Sequence, residues 1–132
     1  NYQQAIAADT AFAEAHNNLG KALFRLGKHD EAFASYRQAL TIDPLYAEVY
    51  NSLGNYWYHT GNSEKALPNF MQAKKINPKF AEAYNGAGAA LIRMGEARKA
   101  AAFFREAVKI DPDYVAAQNN LKNTLAALGK NN

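Results

Sequence analysis

Apolar residues recur along this chain at spacings of three and four, separated by short polar, glycine-containing breaks. That pattern predicts amphipathic helices from end to end. Tyr50, Leu53 and Trp57 fall on one helical face, and Ala66, Phe70 and Ala73 fall on another just downstream. Between them lies Gly61, suited to the left-handed conformation that ends a helix, then Ser63, expected to cap the next one. Pro44, Pro78 and Pro112 follow the second helix of each pair and are expected in the first turn of the next helix. Asp43, Asn77 and Asp111 precede them and are expected as its caps. Pro68 breaks the local rule about one turn inside a second helix, where it should remove one hydrogen bond and bend the helix slightly.

The whole pattern repeats every 34 residues, as the prolines just named and Gly27, Gly61, Gly95 and Gly129 record. Ala32, Ala66 and Ala100 keep the period, and so do Tyr36, Phe70 and Phe104. A fixed period of this length marks stacked helical hairpins, each of which must cover its neighbour's apolar side. The register divides the chain, as a single domain, into complete units at 13–46, 47–80 and 81–114. Residues 1–12 match a partial repeat contributing its second helix only, with Thr10 in place of the proline. Residues 115–132 match a C-terminal capping helix or the first helix of a further repeat, with Lys122 where the other units carry a small residue.

Within the first unit, His16, Leu19, Gly20, Leu23, Gly27, Ala32, Tyr36, Ala39 and Pro44 fall at the signature positions of a known family. In the second these are Tyr50, Leu53, Gly54, Trp57, Gly61, Ala66, Phe70, Ala73 and Pro78; the third repeats the pattern from Tyr84 to Pro112. The units closely resemble the tetratricopeptide repeat (TPR), a helix–turn–helix hairpin. The resemblance implies an all-α fold, a right-handed superhelix (an α-solenoid) with first helices lining the concave face. It also implies a function: a protein–protein interaction module, adaptor or scaffold, holding a protein or peptide segment in the concave groove.

Composition narrows the alternatives. Of 132 residues, 48% are hydrophobic and 20% charged, which fits a folded chain rather than a disordered tail. No apolar run is long enough to span a bilayer, so no membrane insertion is expected; a soluble, cytoplasmic setting is favoured. The chain begins at Asn1 rather than Met, which suggests a piece of a longer protein. Fifteen basic residues against 12 acidic ones give a charge of +3, but they are scattered, and no nucleic-acid partner is expected.

Nothing in the sequence points to catalysis or to a cofactor, and the chain is not expected to be an enzyme. Without cysteine there is no disulfide, thiolate ligand or thiol nucleophile. His16, His29 and His59 contain no pair at helical metal-binding spacing, so no metal site is expected. Gly86 and Gly88 form a G-x-G inside a first helix, where close packing explains them better than a phosphate loop. Glu14, Glu48 and Glu82 recur at first-helix starts, where the helix dipole favours negative charge.

Carrying the family's ligand-contacting positions onto this chain gives the expected groove. It comprises Asn17, Lys21, Phe24 and Arg25 in the first unit and Asn51, Asn55, Tyr58 and His59 in the second. Asn85, Ile92 and Arg93 follow in the third, and Asn119 and Asn123 in the last helix. Asn17, Asn51, Asn85 and Asn119 form a ladder whose amides suit an extended peptide backbone. Phe24, Tyr58 and Ile92 are expected to form side-chain pockets, while Lys21, Arg25 and Arg93 make one edge basic. The carboxylate clamp of chaperone-binding members is not reproduced, since Glu82 and Gly86 stand where it places its distal cations. A partial match to the asparagine-lined groove of O-linked N-acetylglucosamine transferase leaves a substrate-recognition arm of a larger enzyme as an alternative. A further alternative is a self-assembling scaffold, a head-to-tail homo-oligomer joined through open ends at Ala5, Ile6, Leu121 and Leu125.

Overall fold

The computed structural model describes the backbone of residues 2–129 and the side chains of residues 9–129. The helices are α1 (Tyr2–Arg25), α2 (His29–Ile42), α3 (Ala47–His59), α4 (Ser63–Ile76), α5 (Ala81–Arg93), α6 (Ala97–Ile110) and α7 (Val115–Gly129). Among the described residues there is no strand, and no helix is long and apolar enough to cross a membrane. Helices α1/α2, α3/α4 and α5/α6 form three antiparallel hairpins, and α7 packs on the last.

Each hairpin turns through a glycine at positive φ: Gly27 at 81°, Gly61 at 90° and Gly95 at 79°. The closing bonds are those of a Schellman turn, as in Lys28 N–H to the Leu23 carbonyl at 2.9 Å and Asn62 N–H to that of Trp57 at 2.8 Å. The cap of α4 is Asn62, whose side chain accepts from Lys65 N–H at 3.0 Å; Ser63, expected there, is already the first helical residue. Asp43, Asn77 and Asp111 do not cap the following helices either. They close the preceding ones, and their carboxyl or amide oxygens accept from the N–H two residues on, that of Leu45 at 3.1 Å for Asp43. The prolines therefore lie in the inter-repeat turn rather than inside a helix. A strap holds each turn: Tyr50 Oη donates to the Pro44 carbonyl at 3.0 Å, Tyr84 to that of Pro78 at 3.1 Å, and Gln118 Nε2 to that of Pro112. Helix α4 continues unbroken across Pro68.

The expected partial repeat at 1–12 is not a separate helix. With Thr10 in place of a proline nothing interrupts the backbone, and these residues are the first turns of α1. Among the described residues no second helix then covers the outer side of α1. Leu19, expected in the core, is 50% exposed, whereas Leu53, one repeat on, packs on α2 and is 6% exposed. Phe12 on the same helix and Leu26 in the turn just after it are exposed too. The open N-terminal surface is thus Phe12, Leu19 and Leu26; Ala5 and Ile6 lie outside the described side chains. At the other end Leu121 is not free, because it packs against Leu91, Ala100 and Phe104, while Leu125 remains exposed.

Within a hairpin, close approach depends on glycine. A Cβ built on Gly20, Gly54 or Gly88 would lie 2.5 to 2.6 Å from the ring of Tyr36, Phe70 or Phe104 on the paired helix. Phe70 has a second such neighbour, since a Cβ on Gly86 of the next hairpin would lie 2.6 Å from its Cζ and 2.7 Å from its Cδ1. Both glycines of the G-x-G are therefore packing residues. First helices approach in series, α1 with α3, α3 with α5 and α5 with α7, whereas the backbones of α2, α4 and α6 stay apart and Lys74 of α4 reaches the Phe103 ring of α6 by its long side chain, 5.9 Å from the ring centre. The stack is therefore narrow along its first helices and splayed along its second ones, so the first helices form the inner wall.

Candidate functional site: the inner groove

A groove of about 720 Å³ runs along this inner wall. Helix α1 supplies Asn17, Lys21, Phe24 and Arg25; α3 supplies Glu48, Asn51, Ser52, Asn55, Tyr56 and His59. Tyr36 of α2 reaches in from behind, and Phe80 and Glu82 close one end. Seven expected residues thus meet in one cavity: Asn17, Lys21, Phe24, Arg25, Asn51, Asn55 and His59. Tyr58, Ile92 and Asn123 line a second cavity of about 270 Å³ between α5 and α7. Asn85, Arg93 and Asn119 line neither cavity.

The asparagine ladder does not consist of equivalent rungs. Asn17 is only 2% exposed, and its Oδ1 accepts from Ser52 Oγ at 2.8 Å. Asn85 Oδ1 accepts from Asn120 Nδ2 at 2.9 Å, and its own Nδ2 donates to Tyr114 Oη at 3.3 Å. In both cases the asparagine is bonded to the residue 35 positions on, which pins neighbouring first helices together. For Asn51 that partner position is Gly86, which offers no side chain, and the buried Asn51 Oδ1 has no hydrogen-bond partner among the described residues. Asn51 is thus the one inner-wall amide in this register that lines the groove without being spent on the scaffold. Asn119 lies exposed on α7.

The expected aromatic pockets are partly filled by the protein itself. Phe24 stacks on His29 at 4.7 Å and lies 5.6 Å from Tyr56 and 6.1 Å from His59, centroid to centroid. Tyr56, which periodicity alone does not single out because alanine holds its place in the other units, also meets Phe33 and Trp57. Burial raises its phenol pKa, and Asp30 adds to the effect. Arg93, expected on the basic edge, is bound to the scaffold instead. Its guanidinium sits 3.5 Å over the Tyr58 ring and donates to the Tyr58 carbonyl at 2.6 Å, clamping α5 to α3. Lys21 and Arg25 are what remains of that edge within the groove.

Two tyrosines record the electrostatics of the wall. Tyr36 is pushed up to about 12 by burial, against the pull of Arg25 and a hydrogen bond with Ser52. Tyr46 is pushed up to about 12 by burial and then by Glu48, Glu14 and Asp43, and its hydroxyl donates to Glu48 Oε2 at 3.3 Å. The potential is therefore positive near the C-terminal end of α1 and negative near the start of α3. Among the described residues no three His, Asp or Glu side chains converge to hold a metal ion.

An inner wall of serially packed first helices, pinned by inter-repeat hydrogen bonds around an open groove, defines a helical-repeat scaffold. Family models of the tetratricopeptide repeat match residues 47–80 and 81–114, and one described as TPR repeat matches 1–27 and 20–61. The chain belongs to the tetratricopeptide-repeat family. Solved structures agree on the fold. The first TPR of Spaghetti (RPAP3), bound to the HSP90 peptide SRMEEVD, is similar with TM-score 0.85 at 22% identity, covering 91% of this chain and 95% of that one. The TPR domain of Arabidopsis OM64 gives 0.80 at 22%, covering 88% and 96%. The Sgt2 TPR domain from Aspergillus fumigatus gives 0.84 at 20%, covering 89% and 80%. No curated protein sequence gives a significant match.

Proposed function

We propose that this chain is a protein-interaction module that holds an extended peptide segment of a partner protein along its inner groove. The observation that carries this is the wall itself: a cavity of about 720 Å³ lined by amides, charged groups and ring faces, on a scaffold in which Asn17 and Asn85 are already paired with Ser52 and Asn120. Asn51 and Asn55 bond to the ligand main chain, and the exposed parts of Phe24 and His59 seat a side chain. The structural relative whose description names a bound peptide supports the same use of the fold. The test is to select peptides from a displayed random library and titrate them into ¹⁵N-labelled protein. Shifts at Asn51, Asn55 and Lys21 are expected. Shifts confined to a separate cavity of about 330 Å³ between α2 and α3, lined by Phe33, Arg37 and Trp57, would refute the assignment.

A second role rests on the exposed row of Phe12 and Leu19 on α1 and Leu26 just past its end. A helix laid there would cover Leu19 as α2 covers Leu53, which favours head-to-tail association with exposed Leu125 on α7 of a second copy. Sedimentation of the wild type should show concentration-dependent dimers that Leu19→Lys abolishes; a monomer at all concentrations would exclude it.

A further inference from the structure

The groove is electrically polar along its diagonal. Its described basic groups, Lys21 and Arg25, both sit late on α1, whereas its carboxylates, Glu48 and Glu82, sit at the first turns of α3 and α5. Lys21 and Arg25 are four residues apart and so share one face. None of the four forms an ion pair among the described residues; the one polar contact is that of Tyr46 on Glu48. Arg93 does not extend the positive edge toward α5, because it is held by Tyr58. Phe80 lies beside Glu82 at the negative end, adding a ring face that attracts a cation.

The separation can be worked from helix geometry. The first helices run parallel, and in the 34-residue register Glu48 and Glu82 lie seven residues before the position of Lys21 and eleven before that of Arg25, on average roughly 14 Å of axial rise. One or two interhelical steps of about 10 Å each complete the diagonal, giving roughly 17 to 24 Å. An extended chain covers that distance in about six to eight residues.

Resting on the groove assignment above, we propose that the ligand is a dipolar peptide segment. A carboxylate seats on Lys21 and Arg25, and a lysine or arginine side chain about six to eight residues away seats on Glu48 and Glu82. The main chain between them crosses Asn51 and Asn55. The charge order fixes the direction in which the segment lies, because reversing it sets like charges against each other at both ends.

The experiment uses a random dodecapeptide display library selected on the wild type and on the Asn51→Ala/Asn55→Ala variant. Sequences enriched on the wild type should carry an acidic and a basic residue at that separation. A recovered peptide should bind about tenfold more weakly to Lys21→Glu/Arg25→Glu, and likewise to Glu48→Lys/Glu82→Lys. The protein carrying all four reversals should prefer the peptide with its charges exchanged. Amidated and free-acid forms of the same peptide tell whether the carboxylate is a side chain or a chain terminus. Enriched peptides bearing one sign of charge, or none, with binding still lost in the asparagine variant, would overturn the dipolar ligand and leave the groove intact. No enrichment over that variant would overturn the groove assignment itself. Circular dichroism of each variant separates loss of binding from loss of fold.

Discussion

Adding one methyl group at Gly86 tests the packing on which the stack depends. By helix propensity alone, Gly86→Ala should stabilise α5 by about 1 kcal/mol. The new Cβ, however, would lie 2.6 Å from Phe70 Cζ and 2.7 Å from Cδ1, well inside contact distance. The ring cannot retreat easily, because Phe70 is 1% exposed and Gly54 meets it on its other helix neighbour, with a Cβ there also 2.6 Å away. Overpacking of this kind costs about 1–3 kcal/mol. At the middle of that range the overpacking term exceeds the propensity gain, so a net loss of about 1 kcal/mol and at most about 2 is expected, and for a chain of this size a fall in Tm of roughly 4 °C. Thermal and urea melts followed by far-UV circular dichroism measure it. In a Phe70→Leu background, which withdraws the ring, the same substitution should become neutral or stabilising. A Gly86→Ala protein that melts at or above wild type would refute the wedge.

Other outcomes follow from the same packing and hydrogen bonds. Pro68→Ala restores a donor to the Glu64 carbonyl and should raise stability by about 1–2 kcal/mol, the helical penalty of proline less its stiffening of the unfolded chain; a lower urea midpoint would contradict this. Asn17→Ala should cost about 1–3 kcal/mol and couple to Ser52→Ala in a double-mutant cycle, while Asn51→Ala, with no partner to lose, should be close to neutral in the unliganded protein. Tyr36 and Tyr46 hold their protons to about 12 when folded, against 10.0 unfolded. Their contribution is therefore complete below pH 10.0 and is lost as pH rises through that window toward 12, so Tm should fall across it, and less steeply in Tyr36→Phe.

The helices, the hairpins and the 34-residue register were legible because glycine and proline carry strong local meaning: only a positive φ explains Gly27, Gly61 and Gly95 together. The break expected near Thr10 was not, since a partial match to a repeat says nothing about whether the chain actually turns there. Asp43, Asn77 and Asp111 were recognisable as turn formers, but the same side chain can start a helix or close one, and composition does not choose between them. The inner wall was half legible. The family resemblance pointed to Lys21, Arg25, Asn51, Asn55 and His59, which line the groove, but it could not show that Asn17 and Asn85 are spent across the repeat seam. That depends on an offset of 35 rather than 34, visible only once the stacking rotation is known. Arg93 was misjudged for a related reason, because its partner is a main-chain carbonyl 35 residues away, which no side-chain pattern records.

The two glycine seats of Phe70 belong to different hairpins, so one aromatic ring fastens the second and third repeats to each other. The seam between the first and second has no such bolt: the residue facing Tyr36 there is Ser52, which brings its own side chain and a hydroxyl contact instead. When the array frays, the first hairpin should therefore detach as a unit before the middle of the molecule opens. Amide hydrogen exchange would register this as faster deuteration of α1 and α2 around a slowly exchanging block from α3 to α6.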